Sequence, residues 1–123
     1  MKTIQNHVLM SFYKWQLTVK SFHFSTQYNV RHKAVDKYLK SFMEDYDKFM
    51  EVCMGHHGQI VLDTDFNIRI EQVNDDNIFE HIDNFNQILD HIRDQYENEL
   101  DLLNIIDEME ANLNRLVYLL ELK

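Results

Sequence analysis

Apolar residues Ile4, Val8, Phe12, Trp15, Val19 and Phe22 recur at steps of four and three. That is the repeat of one helix face, and it predicts helix A over residues 3–24. Ser25 to Val30 interrupt the repeat, and Val35, Leu39, Phe42, Tyr46, Phe49 and Cys53 resume it as helix B, residues 31–54. Gly55 follows as the expected left-handed cap residue. From His56 to Asp75 the helical period lapses, and Phe66, Ile68 and Ile70 alternate with polar residues. This reads as a crossover over residues 55–76 containing a short strand. Asn77 is placed to cap helix C, residues 77–95, whose stripe is Ile78, Ile82, Phe85, Leu89 and Ile92. Leu102, Ile106, Met109, Leu113, Leu116 and Leu120 mark helix D, residues 99–122.

Nothing between Arg93 and Asp101 forces a turn, so residues 77–122 are also compatible with one long helix. Packing decides against it: two hairpins joined by a long crossover let all four stripes meet, whereas a single long helix leaves much of its stripe in water. The expectation is an all-α, four-helix bundle forming one domain over residues 1–123. Phe12, Trp15 and Phe22 belong to its core rather than to an aromatic binding box.

Composition sharpens this picture. Among 123 residues there are no prolines and two glycines, too few breakers for an all-β chain. The single cysteine, Cys53, excludes an internal disulfide framework and reads as a small buried apolar residue. No apolar run approaches the roughly 18 residues of a membrane span, and no basic, apolar leader opens the chain, so an intracellular, non-membrane protein is expected. A domain this small either packs its helices closely or gains stability from self-association, so an oligomer is expected. Net charge is −9, with eight Lys/Arg against four Asp/Glu in residues 1–50 and four against seventeen thereafter. The two halves attract each other, while the overall charge and the lack of a basic tail argue against DNA as a partner.

Helix B also carries His32, Asp36, Asp47 and Glu51, ligand types suited to iron, manganese or zinc. At about 100° per residue they fall within about 100° of one another, on a stripe flanking the core. Met43, Met50 and Met54 share that stripe and give it interface character. Asp36 and Asp47 lie about 16 Å apart along a helix, so one chain cannot gather the set around a metal. An antiparallel copy can: a twofold dimer would join His32 and Asp36 of one chain to Asp47 and Glu51 of the other, twice. His23, at the end of helix A, is a fifth candidate. The plainer reading is a solvated face whose acids pair at i,i+4 with Lys37, Lys40 or Lys48. His56-His57 read as solvent-exposed loop residues, His81 and His91 as structural. No phosphate loop or nucleophile elbow is present.

His23-Phe24, then His32 and Asp36, then Asp47 and Glu51, resemble the ferroxidase motif of the Dps-type miniferritins, a ferritin-like family. There a His-Trp pair ends helix A, and a His, Asp, Asp, Glu series follows on helix B. Asp101-Leu102-Leu103, Asp107-Glu108-Met109-Glu110 and Leu116 are similar to the last helix of that family. The link from His23 to His32 is three residues shorter than usual, and Phe24 stands where Trp is typical. The stretch from His23 through His32-Lys33-Ala34 to Gly55-His56-His57-Gly58-Gln59-Ile60 is similar also to a family of small phage and large-virus proteins of unassigned function.

The resemblance implies a ferritin-like bundle that binds iron between subunits and oxidises or sequesters Fe(II). His23, His32 and Asp36 would come from one chain, and Asp47 and Glu51 from its twofold partner, with a larger shell as a further assembly. The Glu-x-x-His pairs of larger di-iron bundles are absent, which sets ribonucleotide-reductase-type chemistry aside. The alternative implied is a noncatalytic, virion-associated or structural protein that self-associates through the same face.

Overall fold

The computed structural model describes residues 4–62 and 65–122. The expected first residue of helix A, Thr3, and two crossover residues, Asp63 and Thr64, lie outside them. The chain is an all-α four-helix bundle made of α1 (Ile4–Ser25), α2 (Asn29–His57), α3 (Ile78–Gln95) and α4 (Leu100–Leu120). No helix among the described residues is long and apolar enough to cross a membrane.

Contacts along the helices fix their directions. Trp15 stacks on Phe85, and His7 lines a groove with His91 and Gln95, so α3 runs antiparallel to α1. His56 meets Asp101, Asp45 meets Asn112 and Arg31 meets Leu120, so α4 runs antiparallel to α2. A link of residues 26–28 folds α2 back on α1. Helices α2 and α3 therefore point the same way, and the chain between them must travel the length of the bundle.

It does so against α1. The Val61 carbonyl accepts from Asn6 at 2.7 Å, the Phe66 ring packs edge-on to Tyr13, and the Val73 carbonyl accepts from the Ser25 hydroxyl at 3.1 Å. From Asn6 to Ser25 the helix climbs about 28 Å, a distance twelve extended residues cover with slack. Phe66, Ile68 and Ile70 are half-buried while Asn67, Arg69 and Glu71 are exposed. The alternation seen in the sequence is thus real, but the expected strand is not formed: helices present no free backbone ladder to pair with, and no strand occurs among the described residues.

The four stripes meet as expected. Phe12 packs edge-on against Phe42 and Phe49 and stacks with Tyr46. Trp15 lies parallel to Phe85 at 4.7 Å between centroids and donates its indole N–H to the Tyr38 hydroxyl at 2.8 Å. Each such buried aromatic or aliphatic side chain contributes about 1.5–3 kcal/mol. Cys53 is buried as read, and burial pushes its thiol pKa up, away from reactivity.

Two terminus expectations need correction. Helix α2 runs through Gly55 to His57, and Gly58, at φ 87°, ends it with its N–H on the Met54 carbonyl at 2.8 Å. Only glycine takes that φ without strain. Asn77 does precede α3, but its side chain gives no N-cap bond. Its Oδ1 accepts from the Asn74 N–H, while Asn74 Oδ1 accepts from the N–H groups of Asp76 and Asn77. The short-link expectation between α3 and α4 holds: Tyr96 is buried and the chain reverses over residues 96–99.

Candidate functional site

His23 sits in the last turn of α1 at 8% exposure, against the first turn of α2. The short link between the helices leaves His32 directly over it: the rings stack with centroids 3.9 Å apart at 26°. His32 Nδ1 lies 2.9 Å from the His23 carbonyl oxygen, which can only accept. The proton is therefore on Nδ1, so the neutral ring has its lone pair on Nε2, the form in which histidine ligates metals. Within the His23 ring, Nδ1 is buried without a hydrogen-bond partner. Phe24, next in the chain, is 74% exposed, with the Lys20 ammonium 5.1 Å from its centroid.

Asp36, one turn beyond His32, is exposed, as are Asp47 and Glu51 further along α2. The i,i+4 pairing with Lys37, Lys40 or Lys48 is not formed. Among the described residues the ion pairs instead involve Arg31, His56, His57 and Arg93. One chain thus brings His23 and His32 together and leaves Asp47 and Glu51 on a separate stretch that begins about 22 Å beyond His32 along the helix. No three His, Cys, Asp or Glu residues among those described are grouped to hold a metal ion.

The methionine stripe is exposed only in part: Met43 is 44% exposed, Met54 half-buried and Met50 buried. Helix α1 supplies further apolar surface beside it. Gln16 and His23 face α2, through Tyr46 and His32. Lys20 and Phe24, about 60° and 100° further round α1, share the outer α1–α2 face with Asp36, Met43 and Asp47.

Several polar contacts have no signature in the sequence. His56 Nε2 lies 2.8 Å from Asp101 Oδ2, and His57 Nε2 lies 2.7 Å from Glu99 Oε1, so both histidines lie at the end of α2 and bridge to the start of α4. The bond to Asp101 raises the His56 pKa above the ordinary imidazole value, and the same bond lowers that of Asp101. Asp101 and Glu99 lie off different nitrogens of the His56 ring, so the four side chains do not converge on one point. His81 Nε2 lies 3.1 Å from the Gln72 carbonyl, a structural tie to the crossover. Burial raises the Asp45 pKa against the opposing bond from Asn112. An open cleft of about 720 Å³ between Tyr28, Val30, Phe79 and Leu122 is built around Arg31 and contains none of the five candidate ligands.

No curated protein and no solved structure matches the chain. A model of a family of unknown function, DUF5856, matches residues 23–120, from the buried histidine of the candidate site to the last buried residue of α4. The chain belongs to that family.

Proposed function

We propose that the protein is a Dps-like miniferritin, binding iron at a site shared between two subunits and oxidising or sequestering Fe(II). The observation that carries this reading is the outer face of α2, where His32 and Asp36 stand in the first half and Asp47 and Glu51 in the second, the three carboxylates without ion-pair partners among the described residues. An antiparallel α2 that sets His32 opposite Glu51 also sets Asp36 opposite Asp47, both pairs being centred between Ser41 and Phe42. Charge supports the same register: Lys33, Lys37 and Lys40 accompany the first half, and Glu44, Asp47 and Glu51 the second. The bundle has one long crossover, the connectivity of ferritin-like folds.

The donor types suit iron, with manganese or zinc as substitutes: the His32 imidazole, its proton on the nitrogen away from a prospective metal, and three carboxylates, with His23 joining only if its ring turns out of the stack. Iron is the substrate here, and carboxylate ligands favour its ferric state. The chain's own part is to supply that charge at a fixed place, beside Phe24 and Met43, which exclude water once covered.

A second reading is favoured by the stacked rings. In-plane lone pairs on two rings 3.9 Å apart at 26° do not point at a common metal, so His23 and His32 cannot both ligate one ion as they stand. That geometry suits a ferritin-like scaffold, virion-associated or structural, that keeps the face for self-association without chemistry.

Fe(II) added to the protein under oxygen separates the readings. The first expects ferric absorbance rising above the protein-free rate and saturating near two irons per dimer, one for each shared site. Asp47→Ala with Glu51→Ala should abolish this while circular dichroism stays unchanged. Oxidation no faster than in buffer, from an intact oligomer, rules out the ferroxidase in favour of the scaffold.

A further inference from the structure

The carboxylate that organises the α1–α2 corner comes from neither helix. Asp75, at the far end of the crossover, accepts from the Thr26 hydroxyl at 2.6 Å, the Gln27 N–H at 2.8 Å and Arg31 at 3.0 Å. Thr26 and Gln27 are two of the three residues linking the helices, and Arg31 precedes His32. The arrangement continues outward: Arg31 also donates to the Asp75 and Leu120 carbonyls, and its guanidinium lies 5.1 Å from the Tyr28 ring and 5.5 Å from that of Phe79. Thr26 Oγ1 in turn accepts the Tyr28 N–H. Asp75 and Arg31 together thus tie the link, the first turn of α2, the crossover and the end of α4 into a single knot.

That knot fixes where α2 begins relative to α1. Tyr28 occupies the N-cap position of α2 and gives no side-chain cap bond, so the helix does not set its own start. The start is set from outside, and with it the depth at which His32 meets His23. A shift of one residue would rotate His32 by about 100° and break its bond to the His23 carbonyl. Burial opposes ionisation of Asp75, yet the bonds from Thr26, Gln27 and Arg31 prevail and hold its carboxyl below the ordinary range. It is therefore charged throughout the physiological range, as a permanent clamp must be.

We propose that Asp75 is a positioning residue for the His23–His32 pair: it holds the link so that His32 keeps its proton on Nδ1 and offers Nε2 outward. The positioning role stands on the geometry of the metal-free chain. Its value for metal binding rests on the ferritin-like reading above.

Nitrogen-15 and carbon-13 NMR of the histidine rings in full-length, metal-free protein tests the role directly. The parent should show His32 as the Nδ1–H tautomer. Asp75→Ala should lose that signature while retaining helix content, and Asp75→Asn, which keeps an acceptor, should retain more of it. Asn112→Ala, which removes an unrelated bond to Asp45, is the control for general loosening and should leave His32 unchanged. If Asp75→Ala fails to fold, Thr26→Val removes one of the three bonds to Asp75, together with the acceptor of the Tyr28 N–H, and should weaken the signature in part. An unaltered His32 tautomer in a folded Asp75→Ala, or an unaltered tautomer in Thr26→Val should that be needed, overturns the proposal.

Titration with Co(II) adds a second readout, expected to weaken by about tenfold or more in Asp75→Ala. A His32 signature that depends on Asp75, in a parent that takes up no cobalt, upholds the positioning role and counts against the metal centre. The two ideas thus fail separately.

Discussion

Tyr38 shows what a single residue contributes that its place in a periodic stripe does not reveal. It lies at the edge of the α2 core, and its hydroxyl receives the indole N–H of Trp15, which is itself stacked on Phe85. Burial pushes the Tyr38 hydroxyl pKa far above its ordinary value, so the phenol stays neutral and remains a partner for the indole at any working pH. Tyr38→Phe keeps the ring and deletes that acceptor, leaving a buried donor unmatched. The expected loss is about 1–3 kcal/mol, read in urea by the fluorescence of Trp15, the chain's only tryptophan. A loss under a few tenths would mean that water reaches the indole. The sequence assigns Trp15 to the core through its spacing from Phe12 and Phe22. It cannot name Tyr38 as the partner, because a bond between residues on different helices leaves no periodic trace. Asp75 is hidden for the same reason: it sits in a run of polar residues before α3, and only the folded corner brings it to Thr26 and Arg31.

Element boundaries are legible where hydrophobic period carries them, and misleading where a single glycine stands in for a partner. Gly55 resembles a cap because it follows the last stripe residue, Cys53. The helix continues to His57 because the extra turn carries two imidazoles to Glu99 and Asp101. These contacts join the C-terminus of one helix to the N-terminus of another, and both helix dipoles favour the charges so placed. Their pH dependence follows from the shifts. His56 has a raised pKa, so its contribution is full below the ordinary imidazole value and fades as pH rises through the raised one. Asp101 has a lowered pKa, so its contribution is present above the ordinary carboxylate value and fades as pH falls through the lowered one. The clasp is therefore strongest between about pH 4 and 6.5. Asp101→Asn should lower the thermal midpoint at pH 5.5 and change it little at pH 8.5. An equal drop at both values would mean that Asp101 acts through its negative charge at the start of α4, and not through His56.

At the scale of the molecule, two hairpins and a crossover follow from four stripes and one long aperiodic segment, but the purpose of the outer α2 face does not follow from the bundle at all. A monomer is complete without it: the core is closed, and Leu17, Phe24 and Met43 are left on the outside. What distinguishes the face is the order of its charges, basic before Ser41 and acidic after Phe42, with Asp36 and Lys48 as the exceptions. Laid antiparallel on itself, such a face attracts its copy; laid parallel, it repels. Self-association should then weaken as salt shortens the screening length, from roughly 10 Å at 0.1 M to 3 Å at 1 M, although burial of Phe24 and Met43 would retain part of it. Charge exchange makes the use of this face testable. Lys37→Glu with Lys40→Glu renders both halves acidic, and Glu44→Lys with Glu51→Lys renders both halves basic. Each variant should sediment as a monomer at low salt, because either antiparallel homodimer now sets like charges together. An equimolar mixture should restore the dimer, since every acidic half then meets a basic one. A mixture that stays monomeric while the parent protein dimerises would place the contact on another face and remove the shared site with it. Two variants that each dimerise as the parent does would exclude this face directly, since a contact made through it could not tolerate either charge reversal.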